Sequence, residues 1–469
     1  MSDEIAFWLE IATFREAGFN GGYHTTNELA APAKFSHFDP KGPAFPMLYG
    51  LLALVLGWHP WSGTLFNLLF LAVATGVWLW VCRPGPVTVV VVACLVATCW
   101  PLLLYLPTTM QEGLHFALAF LIAAAINRAF TPTPVSAAGF VMAALLIAAC
   151  ATVRLTWGIL LLPWAALCLP RFSPRGRTLG AVFVGGILGG VFLLSRWLNA
   201  PHPLNEGIGT VSWLLHEAKT SPSHALTNFL GRAGWNLRNL VVQGVSDPLE
   251  MLQRYELLAV LGVTGVVLCL AWLGRAAEAQ GVRRWLFVVL NLGPLAVATV
   301  FLYDVADWRD YRVVAPHMFL SFLVLAGGNA WRWVLGLCLV NLCFLPAFLT
   351  QYRVLHRERV GWNRELVASF RSDIRGVLHY DRARPPWDNT ILVSKDLIAY
   401  PLIAVPPGMG VNAVLVPETF VLPPRSRYVL MSEEETRDLE RYFRLKPLAR
   451  TPVGMLSINL DAARRDDGG

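Results

Sequence analysis

The sequence predicts a polytopic α-helical membrane protein of about ten to eleven transmembrane or interfacial helices with a small C-terminal α/β domain outside the membrane. Three observations predict it. Of 469 residues, 55% are hydrophobic and only 15% charged, whereas soluble domains carry about 25% charged residues. The apolar residues fall in runs of about 20, the length that crosses a bilayer as a helix. Charged residues gather in the opening forty-odd positions and again after position 350.

The opening, 1–42, is the first element. It carries Asp3, Glu4, Glu10, Glu16, His24, Glu28, His37, Asp39 and Lys41. That is too polar for lipid, and it reads as a loop. Positions 43–58 are apolar but only about 16 residues long, near the lower limit for a span. They include Pro43 and Pro46 and run into Trp58-His59-Pro60-Trp61. Tryptophan favours headgroup depth, so a helix lying at the interface is expected.

Spans are expected near 62–82, 86–105, 110–127, 135–152, 155–170, 178–198, 256–274, 285–303, 315–330 and 332–350. Arginines mark alternate connections: Arg83, Arg128, Arg171 with Arg175 and Arg177, Arg275 with Arg283 and Arg284, and Arg332. The intervening short connections hold Arg154, Arg309 and Arg312. The richer set belongs in the cytoplasm. The opening, the long loop at 199–255 and the C-terminal region are then outside. An outside opening needs a span before it. Either 43–58 crosses after all, or a span precedes Met1; the second is the expectation.

Within 199–255, Leu226, Phe229, Leu230, Leu237, Leu240 and Val241 recur at helical spacing, which suits an interfacial amphipathic helix or one packed on the bundle. After position 351 no apolar run is long enough to span. Thr390–Ser394, Arg427–Met431 and Gly454–Ile458 read as strands, and Glu433–Phe443 as a helix with acidic residues at its start. This α/β domain, 351–469, has no glycine-rich phosphate loop and no cysteine. It is expected to support the rest or bind an acceptor.

The net charge of +7 is no nucleic-acid footprint, because many of the arginines sit in short connections where topology explains them. The eight cysteines (82, 94, 99, 150, 168, 269, 338, 343) lie in or beside apolar runs. They form neither a disulfide framework nor a metal-ligand spacing, and read as small apolar residues.

Three polar clusters fall on the expected outer side. One is Asp3-Glu4 with His37, Asp39 and Lys41. Another is Pro107-Thr108-Thr109-Met110-Gln111-Glu112. The last spans Asp304, Asp307, Arg309, Asp310 and Arg312. Arg154 is on that side too. For any single one of them a plain helix-end anchor is the better reading; their convergence on one face points to a site.

The pattern resembles a family. Asp3-Glu4, then Gly21-Gly22-Tyr23, then Lys41-Gly42-Pro43-Ala44-Phe45-Pro46-Met47-Leu48 resembles the first extracytoplasmic loop of the GT-C glycosyltransferases. That group includes the protein O-mannosyltransferases and the bacterial aminoarabinose transferases. Pro107 to Glu112 resembles the family's proline-to-acid segment, and Arg154 to Pro163 its arginine-to-proline stretch. Tyr311-Arg312 before Pro316 resembles an Arg-Tyr…Pro motif with the two residues in reverse order. The resemblance covers most of 1–350 in layout, with short motifs.

It implies transfer of a sugar from a polyprenyl-phosphate donor to an acceptor hydroxyl, with inversion, on the extracytoplasmic side of a bacterial inner (plasma) membrane. The acceptor is a lipid, a glycan or a protein. Asp3 is the implied base, and Glu4 and Glu112 assist or hold a divalent metal ion. His37, Lys41, Arg154, Arg309 and Arg312 are the implied substrate-binding residues, arginine being suited to bidentate phosphate contact. Two other functions fit the layout. A transporter or flippase of a lipid-linked substrate would show ionisable residues in mid-span or paired interrupted helices. A non-catalytic anchor for the C-terminal domain would need no acidic opening.

Overall fold

In the computed structural model the chain divides by its contacts into two units. The first comprises Met1–Gly63, Ser195–Asn205 and His356–Gly469; the second comprises Thr64–Leu194 and Glu206–Leu355. The residues described are 3–22, 24–26, 42–59, 61–199, 216–241, 279–301, 312–339 except 329, 341–342, 364–394 except 375 and 385, 404–414 and 425–462, with a few single positions besides.

The first unit corrects the expectation of a loop at the N-terminus. Asp3–Ala17 is a helix, α1, followed by a single 3-10 turn, Gly18–Asn20, and a short strand, β1 (His24–Thr26). The acidic pair opens α1 and Arg15 lies in its last turn, the polarity that the helix dipole favours. Phe7, Leu9, Ile11 and Ala12 are buried, and so are Glu10 and Thr13. The polar residues that suggested a loop are therefore partly inside a folded unit.

Helix α2 (Ala44–Leu56) packs on α1. Phe7 meets Phe45 edge-on at 5.1 Å. Gly50 allows the close approach, since a Cβ there would lie 2.5 Å from the Phe14 ring. Gly57 ends the helix at φ +80°. With 13 residues α2 is about 20 Å long, short of a bilayer core of roughly 30 Å. Its outer face exposes Leu51, Leu54, Val55 and Leu56, as an interfacial helix would.

The sheet of this unit has the order β1-β3-β2-β4-β6-β5. Its further strands are β2 (Thr390–Ser394), β3 (Gly410–Val414), β4 (Tyr428–Met431), β5 (Leu445–Thr451) and β6 (Gly454–Asn459). The first four in spatial order are parallel, and β6 and β5 are antiparallel. Strands β2, β3 and β4 are buried along their whole length, which explains why they are mostly apolar; the one polar residue inside β3, Asn412, donates to Ser426 Oγ at 3.1 Å. One face packs Ile391, Val393, Val411 and Leu430 with Leu9 of α1 and with Phe370 and Ile374 of the helix Arg364–Ile374. A capping box of Ser432 and Glu435 starts the helix Glu433–Leu439, and Glu435 also accepts the Ser394 hydroxyl at 2.8 Å.

Strand β1 extends the sheet at its edge: His24, Thr25 and Thr26 align with Val411, Asn412 and Ala413. The two preceding glycines make this possible. Gly22 N donates to Gly408 O at 2.7 Å, and a Cβ on Gly22 would lie 2.2 Å from Gly410 N. The N-terminal stretch and the C-terminal sheet are one unit, whereas sequence alone divided them at 42 and 350.

The second unit is helical. Its elements are α3 (Ser62–Cys82), α4 (Pro86–Thr98), α5 (Trp100–Tyr105), α6 (Glu112–Arg128), α7 (Ala137–Val153), a 3-10 turn (Leu155–Leu160) leading into α8 (Leu161–Cys168), α9 (Pro174–Asn199), α10 (Pro222–Val241), α11 (Ala279–Phe301) and α12 (Ala315–Ala326). Helices α3 and α9 share a few terminal residues with the first unit. Helix α6 is buried on nearly every side, so it is central. Phe116 and Phe120 both meet Phe319 of α12 edge-on, at 5.3 and 5.4 Å.

Among the described residues three helices are long and apolar enough to cross a membrane: Ser62–Cys82, Pro174–Leu198 and Gly281–Phe301. Only 22, 11 and 33% of their most apolar windows is buried within the protein. On α9, Leu179, Val182, Leu193 and Trp197 are each more than 60% exposed. Water-soluble monomers rarely expose such continuous apolar surface; lipid accommodates it. The expected span 86–105 is broken, because Cys99 is extended ahead of Pro101. The expected span 155–170 opens with the 3-10 turn. That at 256–274 lies outside the described residues.

Helix α10 shows an inverted pattern. Asn236 and Asn239 are buried, while Leu226, Leu230, Trp235 and Leu237 are exposed. Asn236 Nδ2 donates to Val300 O at 2.8 Å, and Phe229 stacks on Phe301 at 4.6 Å. The helix packs on α11 and also presents its leucines outward.

Candidate functional site

The site is built at the start of α6. Asn67 of α3 holds the preceding bend: its Nδ2 donates to Leu106 O at 3.1 Å and to Thr108 O at 2.8 Å. Thr64 Oγ1 donates to Pro107 O at 3.0 Å. Gly113 lets α6 approach this asparagine, since a Cβ there would lie 2.5 Å from Asn67 Nδ2. Glu112 is thereby fixed as the first residue of α6, where the helix dipole favours a carboxylate. It is only 2% exposed.

Arg154 comes from the other side. Helix α7 ends at this residue, which takes an extended backbone (φ −149°, ψ 118°). Its Nη2 donates to Glu112 Oε1 at 2.8 Å. Two residues that the sequence placed in separate clusters therefore form a buried ion pair.

A second set of polar contacts lies one turn further along α6. His115, one turn along α6 from Glu112, is fully buried. Its Nδ1 accepts from Trp157 Nε1 at 3.0 Å, so the proton of the neutral ring is on Nε2. Trp157 stacks on His317 at 4.2 Å. Asn291 Nδ2 donates to His317 O at 3.0 Å and to Ser321 Oγ at 2.9 Å, which fixes Asn291 Oδ1 as an acceptor. His317 Nδ1 must then donate to it, at 2.8 Å. His317 Nε2 is left to accept from Thr156 Oγ1 at 3.1 Å. These contacts tie α6, the 155–160 turn, α11 and α12 together.

Four buried atoms of the cluster have no hydrogen-bond partner among the described residues: Gln111 Oε1, Glu112 Oε2, His115 Nε2 and Arg154 Nη1. Each such atom costs about 1–3 kcal/mol, and native proteins carry few of them. Two are acceptors and two are donors. The arrangement can hold a polar or anionic group, with the guanidinium already aimed by the carboxylate.

The other candidates are placed as follows. Asp3 and Glu4 open α1, in the first unit, with Glu4 half-buried. Arg312 stands half-buried in the turn before α12. His37, Lys41 and Arg309 lie outside the described residues, as do Asp39, Asp304, Asp307 and Asp310. Among the described residues no group of three His, Cys, Asp or Glu side chains gathers so as to hold a metal ion. The six described cysteines are free thiols.

Sequence reasoning missed His115, Trp157, Asn291 and His317. A signal existed: His115 shares a helix face with Glu112 at i+3. Asn291 is a polar residue inside an otherwise apolar run, a costly placement in lipid.

Set against known protein families, curated proteins and solved structures, the chain matches none of them.

Proposed function

We propose that the chain is an inverting membrane glycosyltransferase of the GT-C type, taking its sugar from a polyprenyl-phosphate donor. The observation that supports this most is the Glu112–Arg154 pair, buried and still offering Arg154 Nη1 and Glu112 Oε2. A guanidinium held on one edge by a carboxylate has its other edge available for a phosphate oxygen. Around it stand helices whose exposed apolar faces suit both a bilayer and a polyprenyl tail.

In this reading the chain crosses the membrane about ten times, and Glu112 and Arg154 lie at the extracytoplasmic end. The acceptor hydroxyl attacks the anomeric carbon from the face opposite the phosphate. The bond from that carbon to the phosphate oxygen breaks, and polyprenyl phosphate leaves with the electron pair. Asp3 takes the hydroxyl proton. Arg154, Arg309, Arg312, Lys41 and His37 stabilise the charge that develops on the phosphate. Glu112 orients Arg154, and Glu4 supports Asp3.

The test is transfer from a labelled polyprenyl-phosphate sugar by membranes carrying each variant. A general base contributes roughly 10²–10⁴-fold to rate, so Asp3→Asn should lose most of the turnover and retain donor binding. Glu4→Gln should lose less. Wild-type turnover in Asp3→Asn would remove Asp3 from the mechanism.

A further inference from the structure

We propose that an arginine-lined cavity at the opposite end of α6 from Glu112 binds the phosphate of an anionic lipid headgroup. Between Glu112 and Arg128 the helix rises roughly 24 Å, so this cavity and the Glu112–Arg154 pair are far apart and independent. Its volume is about 820 Å³. Arg83, Arg128 and Arg284 line it together with Asn127, Thr131 and Trp80, and among the described residues no acidic side chain does.

The three arginines play different parts. Arg284 is built into the wall. It donates from Nη1 to Asn127 Oδ1 at 2.9 Å and to Val324 O, and from Nη2 to Gly327 O at 3.0 Å. Its guanidinium lies over the Phe130 ring, 4.6 Å from the centroid. These partners are neutral, so among the described residues its charge has no acidic partner. Because Asn127 Oδ1 is taken, its Nδ2 amide is left, buried and without a hydrogen-bond partner among the described residues. The Cys82 thiol beside it is a weak acceptor. An anion would supply what that donor lacks.

Arg83 and Arg128 are exposed at the mouth. Arg83 follows the end of α3 with φ +44°, alone in positive φ among the described non-glycine residues. Glycine is the usual residue for that backbone at a helix end. An arginine there carries a conformational cost, and its side chain lines the cavity.

Lipid, rather than a soluble anion, is favoured by what surrounds the mouth. Trp80 is 75% exposed, beside Arg83 at the end of a helix apolar enough to span. Tryptophan in that position marks headgroup depth. Basic pockets between helices at that depth suit anionic headgroups.

The test uses the purified full chain in mild detergent. Its thermal midpoint is followed as short-chain phosphatidylglycerol, phosphatidylcholine or inorganic phosphate is added. Phosphatidylglycerol should raise the midpoint and the other two should not. Arg83→Gln and Arg128→Gln, each exposed and so compatible with folding, should each weaken the lipid effect on the order of tenfold in concentration. Arg175→Gln, an exposed arginine at the start of α9 that does not line the cavity, should leave it intact. An undiminished effect in both cavity variants would overturn the proposal, and so would an equal loss in Arg175→Gln. An equal midpoint shift with inorganic phosphate would overturn the lipid assignment.

Discussion

Arg154 and Glu112, 42 residues apart in the chain, meet at 2.8 Å with the carboxylate almost fully buried. Removing one partner of such a pair strands the other charge, at a cost of about 3–5 kcal/mol. Arg154→Ala should therefore lower the melting temperature sharply. Changing both, Glu112→Gln with Arg154→Gln, should recover much of the stability and still be inactive. A single variant that melts like wild type would show that the pair is not held in the folded protein.

Gly113 and Asn67 form the contact that places Glu112. Gly113→Ala sets a Cβ against the Asn67 amide, and overpacking of this kind costs typically about 1–3 kcal/mol. Asn67→Ala removes the obstacle and also the two hydrogen bonds to Leu106 O and Thr108 O. The double variant should be less unstable than the sum of the two singles. Strict additivity in thermal melts would mean that this approach does not set the bend.

Gly22 brings β1 to the sheet edge. Gly22→Ala should push residues 18–26 off Gly408–Gly410 while leaving β2, β3 and β4 paired. Limited proteolysis and amide exchange should then show new cleavage and faster exchange confined to the first thirty or so residues. Unchanged protection there would contradict the observed pairing of His24 with Val411.

Topology is the fourth prediction. Reporter fusions at Gly42 and Gly361 should both read outside, as the arginine alternation requires. A cytoplasmic signal at Gly361 would reverse the orientation.

The parts legible in the sequence were those with a strong local signal. The runs at 62–82 and 178–198 appear as helices, and Thr390–Ser394 and Arg427–Met431 appear as strands, because unbroken apolar stretches bounded by turns have few other structures. The sheet edge was not legible. His24-Thr25-Thr26 is a three-residue polar strand whose pairing depends on Gly408–Gly410, far along the chain. Helix α1 is hard to see in the sequence because its charged residues obscure the apolar Phe7, Leu9 and Ile11, which the fold buries. At the site, Glu112 and Arg154 were each visible as polar residues next to apolar runs. Spacing puts His115 on the same face of α6 as Glu112, but the contacts of Glu112 with Arg154, of His115 with Trp157 and of Trp157 with His317 come from tertiary packing.

The most direct measurement offers the purified chain a panel of polyprenyl-phosphate hexoses and pentoses, with nucleotide sugars in parallel, each together with lipid, glycan and protein acceptors from cell membranes, and follows release of polyprenyl phosphate. The account predicts release from at least one lipid donor and none from nucleotide sugars. It also predicts loss of that release in the Glu112→Gln, Arg154→Gln double variant, with cooperative melting retained. A well-folded chain that consumes no lipid donor, or a double variant that turns over like wild type, would contradict it.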